Sequence, residues 1–291
     1  MINFRYHVVS IIGIFIALAV GIVLGAGPLQ RSINANLNSS TSQAASDPQL
    51  SAQADAEAAG LKALASSTLT GLLTGTQVAL VVLPGASDDD VSAVRSTLTD
   101  AGASVVGRVS LSENWSSTSM SQYRTTLSAT LSSHLAAGAA KTASADGVVG
   151  YSIVQVMTST GSETDLLRQI LTDKSTPLMT IDEDPAGAAT TLVAVGPRAA
   201  SAAPTVSASP EAWNGLAQAV GSVSGVIVGD ASSRDAMIAS IRASGTSVTS
   251  VDSVGTTLAS VDTALALSQK ASGARAYGVG SGAQSVIPAV K

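Results

Sequence analysis

The sequence has no cysteine, which excludes disulfides, zinc–thiolate sites and thiol nucleophiles. Its two histidines, His7 and His134, lie far apart in the chain, which argues against a His-based metal site or catalytic triad. Aromatic residues make up 3% of the chain, and Phe4, Tyr6 and Phe15 lie in or beside the N-terminal apolar run. The remainder therefore has to pack mostly Val, Leu, Ile and Ala. Charged residues are scarce at 12%, with a net charge of -5, and no Lys/Arg cluster follows the N-terminal region. A nucleic-acid partner needs a basic footprint to displace counterions, so that class is set aside.

One long apolar run is present. Residues 8–29 read VVSIIGIFIALAVGIVLGAGPL with no charge. About 20 such residues in a helix cross a bilayer core of ~30 Å. Gly25-Ala26-Gly27 resembles a signal-peptidase site, but Pro28 follows it and the run exceeds a signal h-region. The segment therefore reads as a retained single-pass anchor. Arg5 and the α-amino group precede it and Arg31 follows, so the basic bias places residues 1–7 in the cytoplasm and the bulk of the chain outside it. Gly13, Ala17, Gly21 and Gly25 recur at every fourth position and share a helix face. Small residues in such a row let two helices approach closely in lipid, which predicts a homodimer.

Residues 30–74 read as a helical stalk. Leu29, Ile33 and Leu37 continue the helical period, Pro48 interrupts it, and Leu61, Leu64, Leu69 and Leu72 resume it. A short coiled coil is compatible with these positions, but the heptads are not sustained.

From residue 75 the pattern predicts an α/β domain. Val78 to Leu83 is a continuous apolar run, as in a strand buried on both faces. A Pro84-Gly85-Ala86-Ser87 turn and a helix opened by Asp88, Asp89 and Asp90 follow. A similar unit recurs at Val226–Val228, with a Gly229-Asp230-Ala231-Ser232 turn and a helix carrying Met237, Ile238 and Ile241. Between and beyond them, helices are expected around Tyr123–Leu131, Glu163–Leu171, Trp213–Leu216 and Leu258–Leu267. Strands are expected at Leu178–Ile181 and Thr191–Val195. Val148–Met157 fits either a strand or a buried helix. Alternation of this kind predicts a doubly wound, largely parallel, Rossmann-like sheet.

No catalytic constellation emerges, and the chain reads as a non-enzyme. Asp88–Asp90 sit where carboxylates cap a helix and oppose its dipole. Asp182 and Asp184 follow a strand, and with Asp230 they are weak candidates to line one cleft and hold a hard cation. Met120, Met157, Met179 and Met237 are not clustered as a soft Cu(I) site requires and read as core filler. Gly278-Val279-Gly280-Ser281-Gly282 looks like a phosphate loop but lacks the Gly-Lys-Ser/Thr ending and reads as a terminal loop.

The opening FRYHVVSIIGIFIALAVGIVLGAGPL, then VALVVLPGASDDDVSAVRSTLTDAGASVVGRVSL, SGVIVGDASS, SVDSVGT and YGVGSGAQSVIP together resemble the actinobacterial MctB-like family of copper transport proteins. The resemblance implies copper transport or homeostasis in the cell envelope and a pore in an outer membrane, with copper implied only on this ground. A transmembrane barrel needs strands of about ten alternating residues, whereas the strands here read as short, apolar and separated by helices. The resemblance extends to SteB-like members linked to cell division, and so implies an alternative: a membrane-anchored dimeric scaffold that binds envelope or cell-division proteins and regulates a peptidoglycan hydrolase. No catalytic residue carries over.

Overall fold

The computed structural model describes residues 48–136, 138, 143–199, 208–269 and 273–289. The expected cytoplasmic tail, the membrane helix with Gly13, Ala17, Gly21 and Gly25, and the first part of the stalk lie outside the described residues. Among the described residues no helix is long and apolar enough to cross a membrane. The chain divides into two units at Ala56/Glu57, and the fold described below belongs to the second.

In chain order the elements are α1 (Pro48–Leu69), β1 (Gln77–Val82), α2 (Asp88–Asp100), β2 (Ser104–Leu111), α3 (Glu113–Ser116), α4 (Ser121–His134), α5 (Ala145–Thr158), α6 (Ser162–Leu171), β3 (Met179–Glu183), β4 (Thr191–Val195), α7 (Pro210–Ser222), β5 (Val226–Val228), α8 (Met237–Ala243), β6 (Thr249–Val251), α9 (Thr257–Ser268) and β7 (Ala276–Tyr277). The strands form one open sheet in the order β3-β2-β1-β4-β5-β6-β7. All neighbours pair in parallel except β2 with β3. The chain thus winds outward from β1 through β2, then returns to β4 on the other flank of β1 and winds the opposite way. That is the doubly wound mixed α/β architecture, with its switch point between β1 and β4.

The apolar strands serve two cores. In β1, Val78, Leu80 and Val82 face one layer, while Ala79 and Val81 with the following Leu83 face the other. The same period of two places Val193 and Val195 opposite Leu192 and Ala194 in β4. One layer is covered by α2, α9 and the end of α1. The other contains Trp115, Leu131, Ile153, Met157, Leu167 and Leu216 from helices α3 to α7. The two similar strand–turn–helix units fall on opposite faces: Val91 and Val94 of α2 join one core, Met237 and Ile238 of α8 the other. A right-handed crossover requires this, because β1→β2 and β5→β6 advance in opposite directions along the sheet.

Three expectations are refined. Residues 148–157 are helical, in α5. Ser144 caps it by accepting from Gly147 N–H at 3.1 Å, and α4, α6 and α7 enclose it, which explains the absence of a polar stripe. A Cβ on Gly150 would lie 2.5 Å from the Gly215 carbonyl oxygen, so α5 and α7 touch backbone to backbone and need glycine there. Second, the end of the expected stalk is part of the domain. Ala65, Leu69 and Leu73 are buried with Val91, Val94 and Leu98, and Leu73 N–H donates to the Ala101 carbonyl at 2.8 Å. The folded unit therefore begins well before residue 75. Third, Ser87 caps α2 by accepting from Asp89 N–H, and two of the three aspartates that follow, Asp88 and Asp90, are turned to arginines instead.

Candidate ligand edge of the sheet

Doubly wound sheets bind ligands beyond the carboxyl ends of their strands, at the switch point. Here the β1 turn and the segment after β4 meet at that place. Leu83 N–H donates to the Val195 carbonyl at 2.9 Å and Gly196 N–H to the Val228 carbonyl at 2.7 Å. From the first turn of α2, Asp90 points inward and is 3% exposed. Arg198, three residues beyond β4, donates to it through Nε at 2.7 Å and Nη2 at 2.5 Å. The fork matches the carboxylate in the two-point geometry that makes such pairs strong. The hydrogen bond to Asp90 raises the Arg198 pKa further above its ordinary value. A bidentate ion pair thus occupies the crevice where a ligand would be sought.

A second carboxylate closes the far side. Asp252, directly after β6, is buried. It accepts from Val279 N–H and Gly280 N–H, both at 2.9 Å, from Ser253 Oγ at 2.7 Å and from Arg242 Nη1 at 2.8 Å. Burial alone would push its pKa up. The bonds from Ser253, Arg242 and the two loop amides outweigh that and hold it below the ordinary carboxylate range. The Gly278–Gly282 loop therefore does present anion-binding amides, but they already hold the protein's own carboxylate. Gly278 has φ +121, and a Cβ there would fall on the Asp252 carboxylate, so glycine is obligatory. Arg242 is fully engaged, donating also to Ser250 Oγ, the Ser281 carbonyl and the Tyr277 carbonyl.

The three weak cation candidates do not share a cleft. Asp230 folds back on its own turn, accepting from Ser232 N–H and Oγ. Asp182 and Asp184 belong to β3 and its exit. That strand is antiparallel, so its carboxyl end lies at the opposite edge of the sheet from Asp230. Four strand spacings of ~4.8 Å also separate β3 from β5. Each carboxylate there faces an arginine: Asp182 meets Arg108 and Ser110, Glu183 meets Arg95, and Asp184 meets Arg168 at 2.6 Å. Among the described residues no group of three or more His, Cys, Asp or Glu is placed to hold a metal. Met157, Met179 and Met237 are buried in one core, and His134 pairs with Glu163.

Sequence reasoning passed over the arginines. Arg198, Arg242 and the buried Arg124, which meets Asp146 and the Ser117 carbonyl, set the electrostatics of the domain. The available signal was position: Arg198 closely follows an apolar strand, where a lone charge seldom stands without a partner.

The fold and this edge define a class: a doubly wound α/β domain whose switch point is closed by internal ion pairs. The sequence model of the family described as "Copper transport outer membrane protein, MctB" matches residues 1–288, and the chain belongs to that family. Two relatives named "Copper transporter MctB" are similar over part of their length. The one from Mycobacterium tuberculosis H37Rv is 32% identical over 123 residues, 40% of this chain and 39% of the relative. The one from Mycobacterium leprae is 30% identical over the same shares. The matched segment thus spans well under half of those relatives.

Proposed function

We propose that this chain is a single-pass envelope protein with a cytoplasmic N-terminus, anchored by residues 8–29, that serves copper transport or homeostasis as a non-enzymatic binding protein. It acts through association with a second copy and with envelope partners, not by chelating copper itself. One observation carries the reading: at the sheet's ligand edge the buried carboxylates Asp90 and Asp252 are paired with Arg198 and Arg242, and no group of three or more His, Cys, Asp or Glu among the described residues is placed to hold a metal. The family supports the copper context. The small-residue row Gly13, Ala17, Gly21, Gly25 supports self-association, which also accommodates the scaffold alternative.

The test uses the full chain in detergent, titrated with Cu(I) and Cu(II) against a competing chelator. No stoichiometric complex is expected, while deletion of the gene alters copper tolerance. A tight one-to-one complex would overturn indirect action. Unchanged copper tolerance together with a septation defect would move the function to the cell-division alternative.

A further inference from the structure

Beside the Asp90–Arg198 pair and away from the Gly278 loop, a cavity of about 560 Å3 opens on the α1–α2–α9 face of the sheet. That volume is in the ~300–1,000 Å3 range of small-molecule sites. Its floor is apolar, with Val228 at the end of β5 and Val254 beyond β6, and its walls are lined by hydroxyls: Ser66 and Thr70 from α1, Ser96 and Thr97 from α2, Thr257 and Ser260 from α9.

The state of these hydroxyls defines what the cavity recognises. Ser66 donates to the Ala63 carbonyl at 2.7 Å, Thr70 to the Ser66 carbonyl at 2.6 Å and Thr97 to the Ala93 carbonyl at 3.0 Å. Their protons are engaged, so their oxygens face the cavity as acceptors. Ser260 is 6% exposed and its hydroxyl has no hydrogen-bond partner among the described residues, although it lies on the cavity wall. Its oxygen is reached by solvent rather than sealed in the core, so it is free to exchange water for a group of an entering ligand. The charged liners are Lys62, Asp100 and Asp90, the last already held by Arg198. With Asp90 neutralised, Lys62 and Asp100 balance and leave the lining no net charge to favour an ionic ligand, and the lining has no aromatic face for a base or a flat ring.

We propose that this cavity is a binding site for a short uncharged saccharide. Such a ligand supplies hydroxyl donors to the helix-bound serines and threonines, places its C–H surface on Val228, Val254 and Ala65, and bonds Ser260 at the inner wall. The site is independent of the copper reading, because none of its residues belongs to the ion pairs at the crevice except Asp90, which contributes only its wall position.

Saturation-transfer NMR tests this on the full chain, held in a detergent without a sugar headgroup, with trehalose, maltose and chitobiose as probes and citrate as an anionic comparison. Transfer to at least one disaccharide and none to citrate is expected. Ser260→Val, which removes the hydroxyl and fills the wall, weakens it at least tenfold. Ala93→Trp, at an exposed position on the cavity rim, does the same without touching the core, so the test stands even if the first variant fails to fold. Ser222→Val, on the opposite face, leaves binding unchanged. Absence of transfer from all three sugars, transfer that survives both cavity variants, or stronger transfer to citrate would each overturn the proposal.

Discussion

Asp262 lies in the middle of α9 with 0% exposure, and neither of its carboxylate oxygens has a hydrogen-bond partner among the described residues. Burial, reinforced by the nearby negative charge of Asp252, pushes its pKa up to about 7. The folded state therefore keeps a proton that the unfolded chain releases near pH 4. The resulting stability is fully present below pH ~4, declines as pH rises, and is lost once pH passes about 7. A rise of that size corresponds to on the order of 4 kcal/mol. Asp262→Asn is expected to raise the melting temperature at pH 7.5 and to flatten stability between pH 4 and pH 7, measured by thermal unfolding across that range. The Asp90–Arg198 pair gives a second residue-scale expectation. Asp90 is enclosed while the Arg198 side chain is 55% exposed. Removing the arginine strands a buried carboxylate, whereas removing the aspartate leaves a guanidinium that water solvates. Arg198→Ala is expected to cost about 2–3 kcal/mol in denaturant unfolding, and Asp90→Ala clearly less. Equal losses would mean that the partner's burial does not govern the pair.

Among elements, α1 shows how a periodic apolar stripe is ambiguous until its partner is known. Leu61, Leu64, Leu69 and Leu72 are legible as helical, and the first three lie in α1, while Leu72 falls in the turn after its end. Which of them point inward was not legible, because Ala65 and Leu73 complete the buried face while Leu64 is left exposed. A chain beginning at residue 75 loses Leu69 and Leu73 from the core and uncovers Val94 and Leu98. At roughly 2–3 kcal/mol for each buried leucine, it is expected to be at least about 4 kcal/mol less stable than one beginning at Glu57, as read by chemical denaturation. The strand β3 makes a related point. Its existence was readable from Leu178–Ile181, but its antiparallel direction was not, since a strand's orientation depends on which neighbour it pairs with. That direction is what separates Asp182 and Asp184 from Asp230.

At the scale of the whole molecule, the charge distribution is sparse and internally matched. With 12% charged residues, few ions remain for a long-range field, and Asp88, Asp90, Asp182, Asp184 and Asp252 all face arginines. Such a charge pattern leaves little long-range field to steer a charged partner. The proposed self-association is expected to reside in the N-terminal segment. By sedimentation, the full chain in detergent should be a dimer and a chain from Glu57 a monomer. Gly21→Leu combined with Gly25→Leu should return the full chain to monomer by preventing close helix approach. A dimer that persists without residues 1–56 would place the contact on the α/β domain.

Local pattern by itself determined the alternation of strands and helices, the burial of β1 on both faces and the turn-forming Gly and Ser positions. These follow from side-chain period and backbone preference over a few residues. Only the tertiary structure decided which carboxylates are neutralised, that the glycine-rich loop holds Asp252, and that the crevice is closed while the α1–α2–α9 cavity is open. The pairs responsible join residues far apart in the chain, 108 positions for Asp90 and Arg198 and 27 for Asp252 and Val279. Strand order brings them together, and no local spacing encodes it.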